Sequence, residues 1–159
     1  MFYKFLYLGF NIYCFLFRPI RMGVRVMMIE KDKVWLVRHT YLSGWYMPGG
    51  GIKKWESLDQ AARREAHEET GAELGNISLV GVFTSYKQWK TDHTSVFFCD
   101  DFKFVGKSDA EIAEMRLFPL TELPAATYSI HRRLLEKYHA GEIRSNFGEW
   151  QGGEKIETV

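Results

Sequence analysis

Residues 50–72, GGIKKWESLDQAARREAHEETGA, set Glu56, Arg64, Glu65, Glu68 and Glu69 between two glycines at Gly50 and Gly71. At about 100° of rotation per residue, a helix that puts Glu65 at zero puts Glu68 near 300° and Glu69 near 40°, so three carboxylates share one face. Like charges at such spacings each cost roughly 0.2–0.5 kcal/mol and tend to raise one another's pKa. A chain that keeps such a helix needs a cation beside it. Hard oxygen ligands with no thiolate or imidazole among them suit Mg²⁺ or Mn²⁺, and Mg²⁺ held by a few carboxylates completes its octahedron with water and substrate phosphate.

The limits of the helix are written in the same run. Ser57 and Gln60 form a capping-box pattern, Leu58, Ala61, Ala62 and Ala66 supply an apolar face, and Gly71 stands at a helix end, so the spacing predicts a helix over 57–70. Arg64 lies one turn before Glu68 and can fix that carboxylate or reach back to Glu56. Pro48, Gly49, Gly50 and Gly51 read as a turn whose backbone can approach an anion or a metal closely, because glycine lacks the Cβ obstruction.

Gly50, Glu56 and the run Arg64-Glu65-Ala66-His67-Glu68-Glu69-Thr70-Gly71-Ala72 resemble the Nudix box at every constrained position, and Trp45 to Pro48 are similar to its lead-in. The likeness covers roughly residues 22–140. One departure is Trp55, which stands where many members carry glycine before the first box glutamate and sets a bulky aromatic beside the site. The resemblance implies an α/β fold, with a mixed β-sheet between helices in an α/β/α sandwich. It also implies metal ligation by the Gly50 carbonyl, Glu65, Glu68 and Glu69, with Arg64 orienting them. The reaction it implies is hydrolysis of a nucleoside diphosphate linked to another moiety, by attack of a metal-activated water on phosphorus.

Members of the family differ in their general base, and some take a glutamate from a loop after the core strands. Glu111, with Glu114 close behind, occupies that place and is the candidate beside Glu68 and Arg64, against a reading in which it caps or solvates its own turn. Arg38, His39, Lys87, Lys90 and His93 are candidate phosphate contacts, against the plainer reading of exposed polar residues. Trp45, Tyr46, Tyr86 and Trp89 are candidates to stack on a base, with core packing the competing role for at least half of them. No Pro-Trp-Pro-Phe-Pro-like run follows the box, and no proline stands between Ala72 and Pro119. This tilts the substrate toward a nucleoside triphosphate or a generic nucleotide, with a capped RNA end as an alternative. The rival class is a non-catalytic nucleotide-sensing or membrane-tethered interaction module.

A chain of 159 residues is one domain's worth, and its formal charge of +1 argues against a protein that coats nucleic acid. Cys14 and Cys99 lie far apart without a metal-binding spacing, which reads as free thiols in a reducing, cytoplasmic setting. Strands are expected over Gly23–Glu30, Val34–Thr40, Ile77–Ser85, Thr94–Phe104 and Met115–Leu120. Lys31, Asp32 and Lys33 turn the first hairpin, Tyr86–His93 forms a connection, and a second helix spans Ser129–Ala140.

The division is an apolar helical segment over 1–21, a domain over 22–150 and a loose tail over 151–159. In the first segment Phe5–Phe17 is almost wholly apolar, with Lys4, Asn11 and Arg18 recurring every seven residues before Pro19. It is shorter than the roughly 20 apolar residues that span a bilayer. Residues 2–18 therefore read as a helix packed on the domain or on a second copy, a peripheral membrane contact, or an uncleaved signal-like region.

Overall fold

The computed structural model describes residues 9, 12, 13, 15–87, 89–143 and 147–149. A first strand, β1 (Ile20–Glu30), turns at Lys31 and Asp32 into β2 (Lys33–His39), and the helix α1 (Leu58–Thr70) follows a long loop. Then come β3 (Ala72–Leu74), β4 (Ser78–Lys87), β5 (Lys90–Cys99), β6 (Phe102–Phe104), β7 (Ile112–Pro119), α2 (Ser129–His139) and β8 (Phe147–Glu149). Six strands form one mixed sheet in the order β7-β2-β1-β5-β4-β8, and β3 pairs with β6 in a separate ribbon.

Alternation within β1 explains why it lies at the centre. Val24, Val26 and Met28 pack with Ala61, Ala62 and Ala66 of α1 on one face. Met27 and Ile29 pack with Leu134 and Leu135 of α2 on the other. A strand covered on both faces reads as a nearly continuous apolar run, as VMMI does here. This is the expected sandwich. β1 runs parallel to β5, from Ile20 opposite Thr91 to Met28 opposite Cys99.

On its other edge β1 has two partners in succession. It pairs with β2 only at Ile29–Val34 and Glu30–Lys33, and the two strands then splay. The loop after β2 enters the gap: Val26 N–H donates to Pro48 O at 2.8 Å, Val24 N–H to Gly50 O at 2.9 Å, and Ile52 N–H to Met22 O at 3.3 Å. Gly49 is required there. At φ 139° a Cβ on it would lie 2.2 Å from the Val24 carbonyl oxygen.

Several expected boundaries move. The strand foreseen over Thr94–Phe104 breaks at Asp100 and Asp101, because Asp101 O accepts from Gly75 N–H at 2.7 Å and its carboxylate from Asn76 N–H at 3.0 Å. Residues 102–104 are thereby turned onto β3. The connection foreseen over Tyr86–His93 is mostly strand, with β4 and β5 paired as far as Lys87 opposite Lys90. Cys99 is buried with its thiol free. Cys14, most of the expected first helix and the tail over 151–159 lie outside the described residues.

Candidate active site

The helix α1 forms as its caps dictate. Ser57 Oγ accepts the Gln60 N–H, Gln60 Oε1 accepts the Ser57 N–H at 2.9 Å, and Gly71 closes the helix at φ 72°. Ala61, Ala62 and Ala66 seat it on the sheet, which turns Glu65 and Glu68 toward the glycine loop.

Arg64 gathers the acids. Its Nε donates to Glu56 Oε1 at 2.6 Å and its Nη2 to Glu56 Oε2 at 2.9 Å, while one nitrogen, Nη1, meets both Glu65 Oε1 at 2.7 Å and Glu68 Oε2 at 2.9 Å. Nη2 also reaches Gly51 O at 3.1 Å. Planar guanidinium suits this fork as ammonium would not. Hydrogen bonding from Arg64, then from the Lys53 N–H, holds the Glu56 carboxyl down to about 2, and hydrogen bonding to Glu56, then to Glu65 and Glu68, pushes the guanidinium pKa up. Lys53 Nζ lies 3.3 Å from Glu68 Oε1.

Glu69 points the other way, into the protein, and is only 8% exposed. Its Oε2 accepts the Gly49 N–H at 2.9 Å, and its Oε1 lies 3.7 Å from His39 Nε2. Burial raises its carboxyl to about 7, against the opposing pull of the Gly49 N–H and of Arg25. Burial, then Arg25, pushes His39 toward the neutral form, and its Nδ1 is buried without a hydrogen-bond partner among the described residues.

Gly50 fits between these groups because it has no side chain: a Cβ would stand 2.6 Å from Glu65 Oε2. Its carbonyl takes one hydrogen bond, from Val24, and keeps a second lone pair. Among the described residues no three acidic, imidazole or thiolate side chains converge into a ready-made metal site: Glu65 and Glu68 meet at Arg64, while Glu69 is anchored inward on Gly49. The donor set still fits a hard cation. It consists of oxygen alone, clustered at one glycine loop, and it includes a carboxyl that burial raises.

The loop opens on a cleft of about 300 Å³ on the α2 side of the sheet, with Gly50 and Gly51 at one end and Arg25, Asp92, Tyr128 and His131 along it. Arg25 crosses to the loop, its Nη1 donating to the carbonyls of Gly49 and Met47. His131 Nδ1 accepts the Met47 N–H at 3.0 Å. Burial, then the Arg25 charge, pushes His131 well down, in keeping with an acceptor nitrogen. The family model of the NUDIX domain matches residues 19–138, taking in the loop, the helix and the cleft.

The chain belongs to the NUDIX family. Among solved structures, a NUDIX hydrolase from Nitrosomonas europaea superposes at a TM-score of 0.67 with 25% identity, over 77% of this chain and 90% of that one. An RNA pyrophosphohydrolase of Legionella pneumophila is 31% identical over 70 residues, 43% of this chain and 38% of that protein. An ADP-ribose pyrophosphatase of Methanocaldococcus jannaschii is 29% identical over 117 residues, 70% of this chain and 69% of that protein. The match to the Legionella protein thus spans under half of its length.

Within this NUDIX domain the foreseen residues are unequally distributed. Gly50, Arg64, Glu65 and Glu68 come together, whereas Glu69, expected on the same face, turns inward onto the Gly49 N–H and His39. Glu111 lies nearby: its turn is fixed by the Asp109 N–H on Glu68 O at 2.8 Å, and its Oε2 is 3.4 Å from the Tyr41 hydroxyl. Arg38 pairs with Glu114 at 2.8 Å and lies over the Trp45 ring. Trp45 itself is buried edge-on against Phe118, with centroids 4.8 Å apart. Tyr86 is exposed on β4 beside the cleft residue Ser85. Sequence reading missed Arg25 and His131. The one available signal was a lone arginine inside the apolar strand Val24–Ile29.

Proposed function

We propose that this NUDIX domain is a divalent-cation-dependent hydrolase that cleaves the diphosphate linkage of a nucleoside triphosphate or another nucleotide derivative. The observation that carries the reading is the single Arg64 nitrogen shared by Glu65 and Glu68, beside a Gly50 backbone too close to Glu65 for any side chain. Relatives named for pyrophosphate hydrolysis of RNA and of ADP-ribose support it.

Glu65, Glu68, Glu69 and the Gly50 carbonyl would hold Mg²⁺ or Mn²⁺, which when bound would supply charge neutralisation on the phosphoryl oxygens and acidify a water. Arg64 keeps the carboxylates in place through turnover. Glu111 takes the proton of the attacking water, its turn tied to the end of α1 through Glu68 O. Arg25 and His131 hold the Met47–Gly49 backbone rigid at the mouth of the cleft, and the cleft seats the nucleoside.

A panel of nucleotide derivatives assayed by phosphate release tests this. Turnover is expected only with Mg²⁺ or Mn²⁺. Glu68→Gln should lose most of kcat, on the order of 100-fold or more, with a native circular dichroism spectrum, and Glu56→Gln should lose less. Undiminished turnover after rigorous chelation rules the reading out, and nucleotide binding without turnover favours a sensing module instead.

A further inference from the structure

The described residues of the apolar run before β1 do not line the cleft. Its described residues 12, 13 and 15–17 are helical, and they leave Leu16 and Phe17 exposed at 66% and 69%. Tyr13 packs on Phe17 with centroids 5.0 Å apart, and Phe15 meets Trp89, beside the tip of the β4–β5 hairpin, edge to face at 5.1 Å. The sheet continues this surface. Ile20 and Tyr86 both lie opposite Thr91, so they stand on one face, and Ile20 is 72% exposed. A contiguous apolar patch of this kind marks an interaction surface.

Its charge indicates the partner. The first acidic residue of the chain is Glu30, and before it stand Lys4, Arg18, Arg21 and Arg25. Arg25 is turned onto the box loop, Arg18 is exposed beside the patch, and Arg21 is exposed on the opposite face of β1 from Ile20. Asp92 lies at this edge between Arg21 at 3.9 Å and Lys90 at 3.4 Å.

We propose that this patch is an interfacial anchor for an anionic lipid bilayer. Tyr13, Phe15, Leu16, Phe17, Ile20 and Trp89 enter the boundary between headgroups and acyl chains, and Arg18 meets lipid phosphates. Aromatic side chains mixed with basic ones are the composition of that boundary. Among the described residues no helix is long and apolar enough to cross a membrane. A second copy is the poorer occupant, because a twofold contact sets one basic patch against another. Arg21 and Met22 also line the cleft.

Flotation of the full chain with vesicles of phosphatidylcholine, with and without phosphatidylserine, tests the proposal. Binding is expected to vesicles containing phosphatidylserine and to fall with added salt. Arg18→Gln should weaken it roughly fivefold. Phe15→Ser with Leu16→Ser should abolish it, and Trp89→Asn, which suits the left-handed backbone at that position (φ 62°), should weaken it with the fold intact. The proposal is overturned if the wild-type chain does not float. It is also overturned if the apolar variants bind as wild type does, or if light scattering shows a dimer that the same variants dissociate.

Discussion

Glu69 joins two parts of the molecule that are distant in sequence: one carboxylate oxygen accepts the Gly49 N–H at 2.9 Å, and the other lies 3.7 Å from His39 Nε2. A single buried acid thus ties α1 to the glycine loop and faces β2. It carries this position at an electrostatic cost that has a measurable pH signature.

Without a divalent cation, Glu69 is raised from the ordinary carboxylate range to about 7. The folded state then binds a proton more tightly than the unfolded one, so the associated stability is complete below about pH 4.5 and is lost as pH rises through 7. The shift corresponds to about 3 kcal/mol. Chelated protein should lose roughly 6–12 °C in Tm from this group between pH 5 and pH 8. Saturating Mg²⁺ should restore most of it, and Glu69→Gln should flatten the dependence. Thermal melts across pH, with and without chelator, check this.

Arg64→Lys keeps the charge and loses the fork. An ammonium cannot satisfy Glu56, Glu65 and Glu68 from the directions that Nε, Nη1 and Nη2 use. A fall of about 10–100-fold in kcat and a weaker Mn²⁺ affinity are expected, the latter read by titration calorimetry. Wild-type values for both would show that Arg64 orients nothing of consequence.

Gly50→Ala separates catalysis from folding. The new Cβ would stand 2.6–2.8 Å from the Glu65 carboxylate, the far end of a flexible side chain, so the fold can yield by moving Glu65. Tm should change little while metal affinity and kcat fall together. Gly49→Ala meets backbone at 2.2 Å instead and should lower Tm steeply.

Trp55 occupies a left-handed backbone conformation at φ 67° and is 92% exposed. Its side chain contributes little burial, and its backbone strain costs roughly 1–3 kcal/mol. Trp55→Gly should raise stability by about 1 kcal/mol in urea denaturation after allowing for the greater freedom of glycine when unfolded.

The box helix was legible because its caps, its alanine face and its acids are all local, and the structure returns the Ser57–Gln60 box and the Gly71 cap as written. The departure at Trp55 also becomes intelligible, since the backbone there adopts the conformation that glycine favours. Arg25, His39 and His131 were harder to read. Each acts through a partner more than twenty residues away: Arg25 on Gly49, His39 on Glu69, His131 on Met47. Neither helical nor strand periodicity encodes such pairings. The same limit hid the β3–β6 ribbon, which exists because an aspartate redirects a strand that the Val- and Phe-rich run would otherwise prolong.

The Pro48–Ile52 segment, inserted along β1 like a strand, has a consequence for how the protein moves. A glycine-rich loop free of such pairing opens on its own, and its amides exchange with solvent quickly. Here the amide protons of Val24 and Val26, donated to Gly50 and Pro48, can exchange only when the loop peels from the sheet. Two central-strand amides thereby become built-in reporters of opening at the glycine loop, readable by deuterium uptake in the protein as it stands. Their slowing when Mg²⁺ is added would measure how much of that opening the cation suppresses.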